Sequence, residues 1–192
     1  KVETITHALS ILGTEQLLDL ILATSVLNRF KNIGSDLITV ESFWKHSIAC
    51  GIAARTIAVY RREINVERFY VLGLLHDIGR LIIFENAPDI IRAAVEQQEQ
   101  RRLPLYQIEK EILGYDHAAV GGALMKTWKL PASMEETVTF HHNPLGATQY
   151  PIETAIIHIA DIIVTAMKLG SSMEYFVPPL QLEAWIFLEL PL

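Results

Sequence analysis

A histidine followed by an aspartate inside an apolar run is where chemistry could start in this chain. His76 and Asp77 lie in Leu74-Leu75-His76-Asp77-Ile78-Gly79, where an unpaired charge is costly to bury and needs compensation. Further candidate ligands stand at His46, His117, the doublet His141-His142 and Asp161. Divalent transition metals favour mixed imidazole and carboxylate ligands, so a bound cation would satisfy the whole set at once. If Asp77 bridges two cations, each can activate a water and polarise a phosphoryl oxygen, which is the chemistry of phosphoester hydrolysis. With one cation the first effect remains.

These groups are separated by tens of residues, too far for a local metal motif, so tertiary folding has to gather them. Strand signals are weak and helical spacing dominates, which predicts an all-α fold. Helices are expected over Ile5–Leu12, ended by Gly13, and over Thr14–Asn28. A third is expected over Val40–Tyr60, with Trp44, Ile48, Ile52, Thr56 and Val59 on one stripe and His46 near its start. Val66–Asp77 reads as a helix closed by Gly79, with the His-Asp pair in its last turn. Leu81–Phe84 is a short apolar stretch leading to Pro88. Further helices are expected over Asp89–Arg101, Leu105–Leu113, His117–Lys129, Pro131–His142, Ile152–Leu169 and Ala184–Leu190. Glu96-Gln97-Gln98-Glu99-Gln100 reads as a solvated face. Asp116 is placed to cap the His117 helix, where Gly121, Gly122 and Ala123 would let a neighbour approach closely. Bundle cores assemble metal sites from several helices in this way.

The bland reading is that each histidine is a separate core or capping residue, bonded to a carbonyl or carboxylate. It is the better one for His158, one turn from Asp161 and able to pair with or orient it, and for His7. The doublet His141-His142 resists it, because neighbouring helical rings point about 100° apart and both need partners.

With 192 residues, 51% of them hydrophobic, the chain suits one buried core, and residues 1–192 read as a single domain. A net charge of -6 gives no attraction to phosphate backbones and argues against nucleic acid as a partner. The single cysteine, Cys50, excludes an intrachain disulfide, implies a reducing compartment, and reads as a buried inert thiol. No apolar stretch reaches the length of a membrane span, and the start lacks a signal-peptide pattern, so a cytoplasmic protein is expected.

His46, His76-Asp77 and Asp161 resemble the signature of the HD superfamily of metal-dependent phosphohydrolases. More closely, the chain resembles the HDOD family, the HD-related output domain of bacterial signalling proteins. The supporting segments are Ala8–Gly13, Phe43–Ser47, Gly73–Gly79, Asp116–Gly121, Trp128–Pro131, His141–Pro144 and Ile159–Asp161. The resemblance implies an HD-like helical bundle with Asp77 as bridging ligand. His46, His76 and Asp161 would complete one site, and His117, His141 and His142 the second. One or two divalent ions, iron, manganese or zinc, are then expected. Arg80 replaces the usual Lys and would either contact a phosphate or pair with a local Glu such as Glu85. Asn143-Pro144-Leu145-Gly146 stands where the cyclic-di-GMP phosphodiesterase branch carries Gly-Tyr-Pro, which argues against that substrate. The implied function is a signal-transduction output or regulatory module with a protein partner or flanking signalling domain. The alternatives are an active phosphohydrolase on a nucleotide or other phosphorylated small molecule, with Asp77 and Arg80 at its catalytic centre, and a scaffold with an empty site. The family's first helices are missing before Ala8, so the chain is expected to be a fragment of a longer protein.

Overall fold

The computed structural model describes residues 39–191 together with Ile21 and Phe30. His7, the helix expected over Ile5–Leu12, and all of the Thr14–Asn28 helix except Ile21 lie outside them. In chain order the helices are α1 (Val40–Tyr60), α2 (Glu67–Leu75), α3 (Ile78–Asn86), α4 (Pro88–Arg101), α5 (Leu105–Leu113), α6 (His117–Thr127) and α7 (Ala132–Phe140). A short 3₁₀ turn (Pro144–Gly146), α8 (Pro151–Ala166) and α9 (Leu182–Phe187) complete the described chain, which contains no strand. The all-α expectation holds. No helix among the described residues is long and apolar enough to cross a membrane.

Starts and stops follow local chemistry. Thr39 caps α1 by accepting from the Ser42 amide at 3.1 Å, and Asp116 caps α6 by accepting from Ala119 at 2.9 Å, each satisfying an otherwise orphaned donor. Pro88 and Pro151 open α4 and α8, where a missing amide hydrogen costs nothing. Gly114, at φ 82°, closes α5 in the left-handed conformation.

α1 packs along α2 and α8, α6 lies against α3 and α7, and α4 pairs with α5. The core between them holds Phe43, Phe69, Leu72, Leu75, Ile91, Leu105, Ile108, Met125, Val138 and Ile156. One stripe of α1 departs from expectation: Ile48, Ile52 and Val59 are exposed, whereas Ser47, Cys50, Gly51, Ala54 and Ala58 are buried. α1 turns its small side chains inward because α2 comes backbone-close: a Cβ at Gly73 would lie 2.7 Å from the Cys50 carbonyl.

The expected helix through Asp77 is two helices. α2 ends at Leu75, Asp77 sits in the link with φ -96° and ψ 7°, and a full helix α3 replaces the short apolar stretch. Gly79 is therefore inside a helix and closes none. Its lack of a side chain answers a close approach instead, since a Cβ there would lie 2.0 Å from the His117 carbonyl oxygen. That contact brings α3 against the start of α6, and with it Asp77 against His117.

Candidate metal centre

Asp77 is the hub. Its Oδ2 lies 3.4 Å from His76 Nε2 and 3.7 Å from His46 Nε2. Its Oδ1 lies 3.0 Å from His117 Nε2 and 3.8 Å from His141 Nε2. The two oxygens of one carboxylate thus face two different groups of nitrogens. On the Oδ2 side Asp161 Oδ1 stands 3.3 Å from His46 Nε2 and 3.7 Å from His76 Nε2. On the Oδ1 side His142 Nε2 stands 3.0 Å from His117 Nε2. Every residue read from the sequence as a metal ligand is therefore brought into one cluster, and each is at most 6% exposed.

The backbone explains how both members of the doublet reach it. α7 ends at Phe140 and the chain turns at His141, so the rings do not diverge as in a continuing helix but lie 4.0 Å apart between centroids. Tyr106 stacks on His142 at 4.2 Å.

Partners behind the rings set which nitrogen faces inward. His76 Nδ1 donates to the Gly73 carbonyl at 2.7 Å and His141 Nδ1 to the Val138 carbonyl at 2.7 Å. A carbonyl only accepts, so in its neutral form each ring carries its proton on Nδ1 and presents a bare Nε2 lone pair to the cluster; against burial, Asp77 and Asp161 raise the pKa of His76. Neither Nε2 has a hydrogen-bond partner, although both are fully buried. His117 Nδ1 meets Glu109 Oε2 at 2.6 Å, the carboxylate–imidazole arrangement that orients metal-ligating histidines. His158 does not pair with Asp161. It bonds the His141 carbonyl at 2.8 Å and accepts from the Gln181 amide at 3.1 Å, holding the doublet in place.

Electrostatics divide the rings. Burial favours the neutral acid at Asp77, but His76, Arg80 and His117 hold its carboxyl well below the usual range. Asp161 is likewise held low against burial, by the neighbouring His46 and His76 rings. Burial and Arg80 oppose charging of His117, yet Glu109 and Asp77 win and lift it to about 9. Burial, then His76 and His117, push His141 down to about 3.

Arg80 is 1% exposed and turned inward. It lies 3.4 Å from Asp77 Oδ1, 3.4 Å from Glu174 Oε2 and 3.9 Å from Glu109 Oε1. Glu109 and Glu174 had no sequence signal. The first is eight residues before His117, and the second is delivered by a loop that Gln98 fastens. Gln98 donates to the Met173 carbonyl at 2.9 Å and accepts from the Tyr175 amide at 2.8 Å. It is fully buried, so the glutamine-rich segment of α4 is not a wholly solvated face.

Cys50 is the other group missed. Its Sγ lies 3.4 Å from His46 Nε2, within a set formed with His76 and Asp161 whose ligand atoms all lie within 4.8 Å of one another. Asp77, His117, His141 and His142 form a second such set. Cations that hold nitrogen or oxygen at about 2.0–2.2 Å and sulfur at about 2.3 Å place neighbouring ligand atoms about 3–4 Å apart. The separations above, 3.0 to 3.8 Å, fit. The buried His and Asp groups could hold a metal ion.

Residues 1–144 match the HDOD domain family. The chain belongs to that family. An HDOD domain protein of unknown function from Geobacter sulfurreducens is 27% identical, with a TM-score of 0.75 over 94% of this chain and 59% of that one. A candidate phosphohydrolase from Shewanella amazonensis SB2B is also 27% identical, with a TM-score of 0.73 over 87% of this chain and 61% of that one. An uncharacterized protein of Treponema pallidum (strain Nichols) is 32% identical over 96 residues, 50% of this chain and 19% of that protein. The HDOD chain described here thus spans less than two thirds of the length of each of these relatives.

Proposed function

We propose that this HDOD domain is a signal-transduction output module whose regulatory core is a buried divalent-metal centre. It is one domain of a longer cytoplasmic protein and acts through a protein partner or a flanking signalling domain. His46, His76 and Asp161 would hold one ion, His117, His141 and His142 a second, and Asp77 would lie between them. The observation that carries the reading is the pair of bare, unpartnered Nε2 atoms of His76 and His141, aimed at opposite oxygens of Asp77. Buried polar atoms without partners are rare and call for an explanation such as an ion.

A divalent cation in this centre supplies Lewis acidity toward a phosphoryl oxygen or a water. The chain's own residues do the rest. Gly73, Val138 and Glu109 orient the rings, Arg80 balances the carboxylates, and the burial of the ligands keeps bulk water from all of the centre but the side beside His46. That closure favours regulation over turnover, since structural metal sites are closed and catalytic ones keep an open position.

One observation favours the phosphohydrolase alternative. A cavity of about 310 Å³ opens beside His46, lined also by Thr165, Lys168, Ser171, Ser172 and Glu174, and Thr165 Oγ1 donates to Asp161 Oδ1 at 3.1 Å. A phosphorylated small molecule would meet the centre from this side, with Lys168 rather than the enclosed Arg80 as its first cation.

Metal content by mass spectrometry, on protein without a histidine tag and never exposed to chelator, tests the centre. About one or two equivalents are expected, and none in Asp77→Ala. Wild-type protein that stays metal-free after incubation with zinc, manganese or iron(II) overturns the proposal. Turnover on a panel of nucleotides and phosphoesters, abolished in Asp77→Ala, would replace the regulatory reading by the enzymatic one.

A further inference from the structure

The two halves of the centre are not chemically alike. The His117 half offers imidazole nitrogens and a carboxylate oxygen, whereas the His46 half contains a sulfur. We infer that Cys50 is a ligand of the His46 half, which makes that half a mixed nitrogen, oxygen and sulfur site for a thiophilic divalent cation such as zinc. This rests on the proposed metal centre and adds to it a residue and a selectivity.

Geometry carries the assignment. His46 and Cys50 are four apart on α1, so their side chains project from one face of the helix. Three groups converge on His46 Nε2: Cys50 Sγ at 3.4 Å, Asp161 Oδ1 at 3.3 Å and Asp77 Oδ2 at 3.7 Å. One nitrogen carries at most one hydrogen, so hydrogen bonding satisfies one or two of these contacts at best. A cation at their common centre satisfies all of them. An independent sign is His76 Nε2, fully buried, unpartnered and in the same set.

Cys50 is also held in place with unusual definition. Its backbone rests on Gly73, where a Cβ would come within 2.7 Å of it, and the carbonyl of that same glycine fixes the His76 ring at 2.7 Å. One helix contact therefore positions two members of the set. Soft thiolate ligands shift preference toward zinc, while the all nitrogen and oxygen half also accepts manganese or iron. On binding, the Cys50 S–H bond breaks, its electron pair is donated to the cation, and the proton leaves to solvent, as for any thiol that becomes a ligand.

Cobalt(II) substitution tests this without reference to activity. Untagged protein is loaded with cobalt(II), and two spectral regions are read. Visible ligand-field bands report cobalt in the centre, and a near-ultraviolet sulfur-to-cobalt charge-transfer band reports a thiolate bound to it. The expected result is both in the wild type, with Cys50→Ser keeping the visible bands and losing the charge-transfer band. Zinc affinity of the variant should fall by at least the roughly 10–100-fold that even an outer-shell partner is worth, with manganese affinity far less changed. Because the chain has one cysteine, the wild-type spectrum decides even if Cys50→Ser fails to fold. Visible bands without the charge-transfer band overturn the Cys50 assignment and leave the centre standing. Absence of both, with no cobalt bound, overturns the centre and the assignment with it.

Discussion

The His46 half and the His117 half of the cluster share Asp77 but are built on different principles. The first is assembled from α1, α2 and α8, and its acceptor behind the ring is a backbone carbonyl, Gly73. It is rich in anion and sulfur. The second is assembled from the start of α6 and the end of α7, contains three imidazoles, and has a buried carboxylate, Glu109, behind His117. The difference teaches where charge balance comes from. In the first half Asp161 sits among the candidate ligands. In the second the negative charge stands one layer back, and Arg80 spans the boundary by touching Asp77, Glu109 and Glu174.

Removing that boundary should produce the largest effect. Arg80→Met leaves three buried carboxylates without their cation, and breaking a buried pair by deleting one partner costs about 3–5 kcal/mol. Urea unfolding of the metal-free protein should show the loss as a lower midpoint at unchanged slope. An Arg80 that serves only to contact phosphate would give a change within about 0.5 kcal/mol, as a residue outside the packing network does.

Two glycines separate the halves more sharply. Gly79→Ala drives a methyl into the His117 carbonyl, 2.0 Å from the new Cβ, and Gly73→Ala drives one into the Cys50 backbone at 2.7 Å. Overpacking costs about 1–3 kcal/mol or more, and the better helix propensity of Ala returns about 1 kcal/mol. Gly79→Ala is expected to lose the His117-side ion and keep the other, and Gly73→Ala the reverse. Equal loss of both ions in each variant, read as metal equivalents per chain, would mean that the halves do not form independently.

The sequence makes one layer of this legible and hides the next. His46, His76, Asp77, His117, His141, His142 and Asp161 are readable because ligand types are rare inside apolar helices, and the cluster gathers all of them. Glu109 and Glu174 are not, because a glutamate eight residues before a histidine, or in a loop pinned by Gln98, looks like any other surface acid. Cys50 carried a usable signal, its spacing of four from His46, but a cysteine among alanines also reads as core filling. The α1 stripe misleads for a packing reason. Where backbones approach as closely as at Gly73, small residues take the inner face and the larger apolar side chains are left outside.

Glu109→Gln sharpens the comparison at lower cost. The amide keeps the shape but removes the charge that raises His117, so the ring returns toward its ordinary value and becomes a poorer electron donor. Loss of such a partner weakens metal affinity by about 10–100-fold, equal to about 1.4–2.8 kcal/mol. The effect should fall on the His117-side ion alone. Competitive titration with a metallochromic chelator should resolve one weakened and one unchanged step, and equal weakening of both steps would show that Glu109 acts through Asp77.

The smallest effect tests the boundary from its wet side. Burial pushes the Glu174 carboxyl up to about 7, against the pull of Arg80 and the Leu105 amide. The folded state therefore binds this proton more tightly than the unfolded chain, whose glutamate titrates near 4.5. Glu174's favourable contribution is complete below about pH 4.5 and is lost as pH rises through about 7. Asp77, Asp161 and Glu109 are shifted the other way, so their contributions are complete above the ordinary carboxylate range and fall away only in acid. Their window lies below that of Glu174. The lowered His141 and His142 do titrate in the unfolded chain within this window, but they are common to wild type and Glu174→Gln and cancel in the difference. The stability gap between the two metal-free proteins should change between about pH 4.5 and 7, in favour of the glutamine as pH rises, and be flat above. Its size should be on the order of 1 kcal/mol, because each tenfold change in proton affinity is worth about 1.4 kcal/mol and the cavity lined by Lys168, Ser171 and Ser172 keeps water near the carboxyl. A gap independent of pH would mean that Glu174 stays ionised throughout, paired with Arg80, and that Arg80 belongs wholly to the carboxylates of the boundary, with none of its charge left for a phosphate.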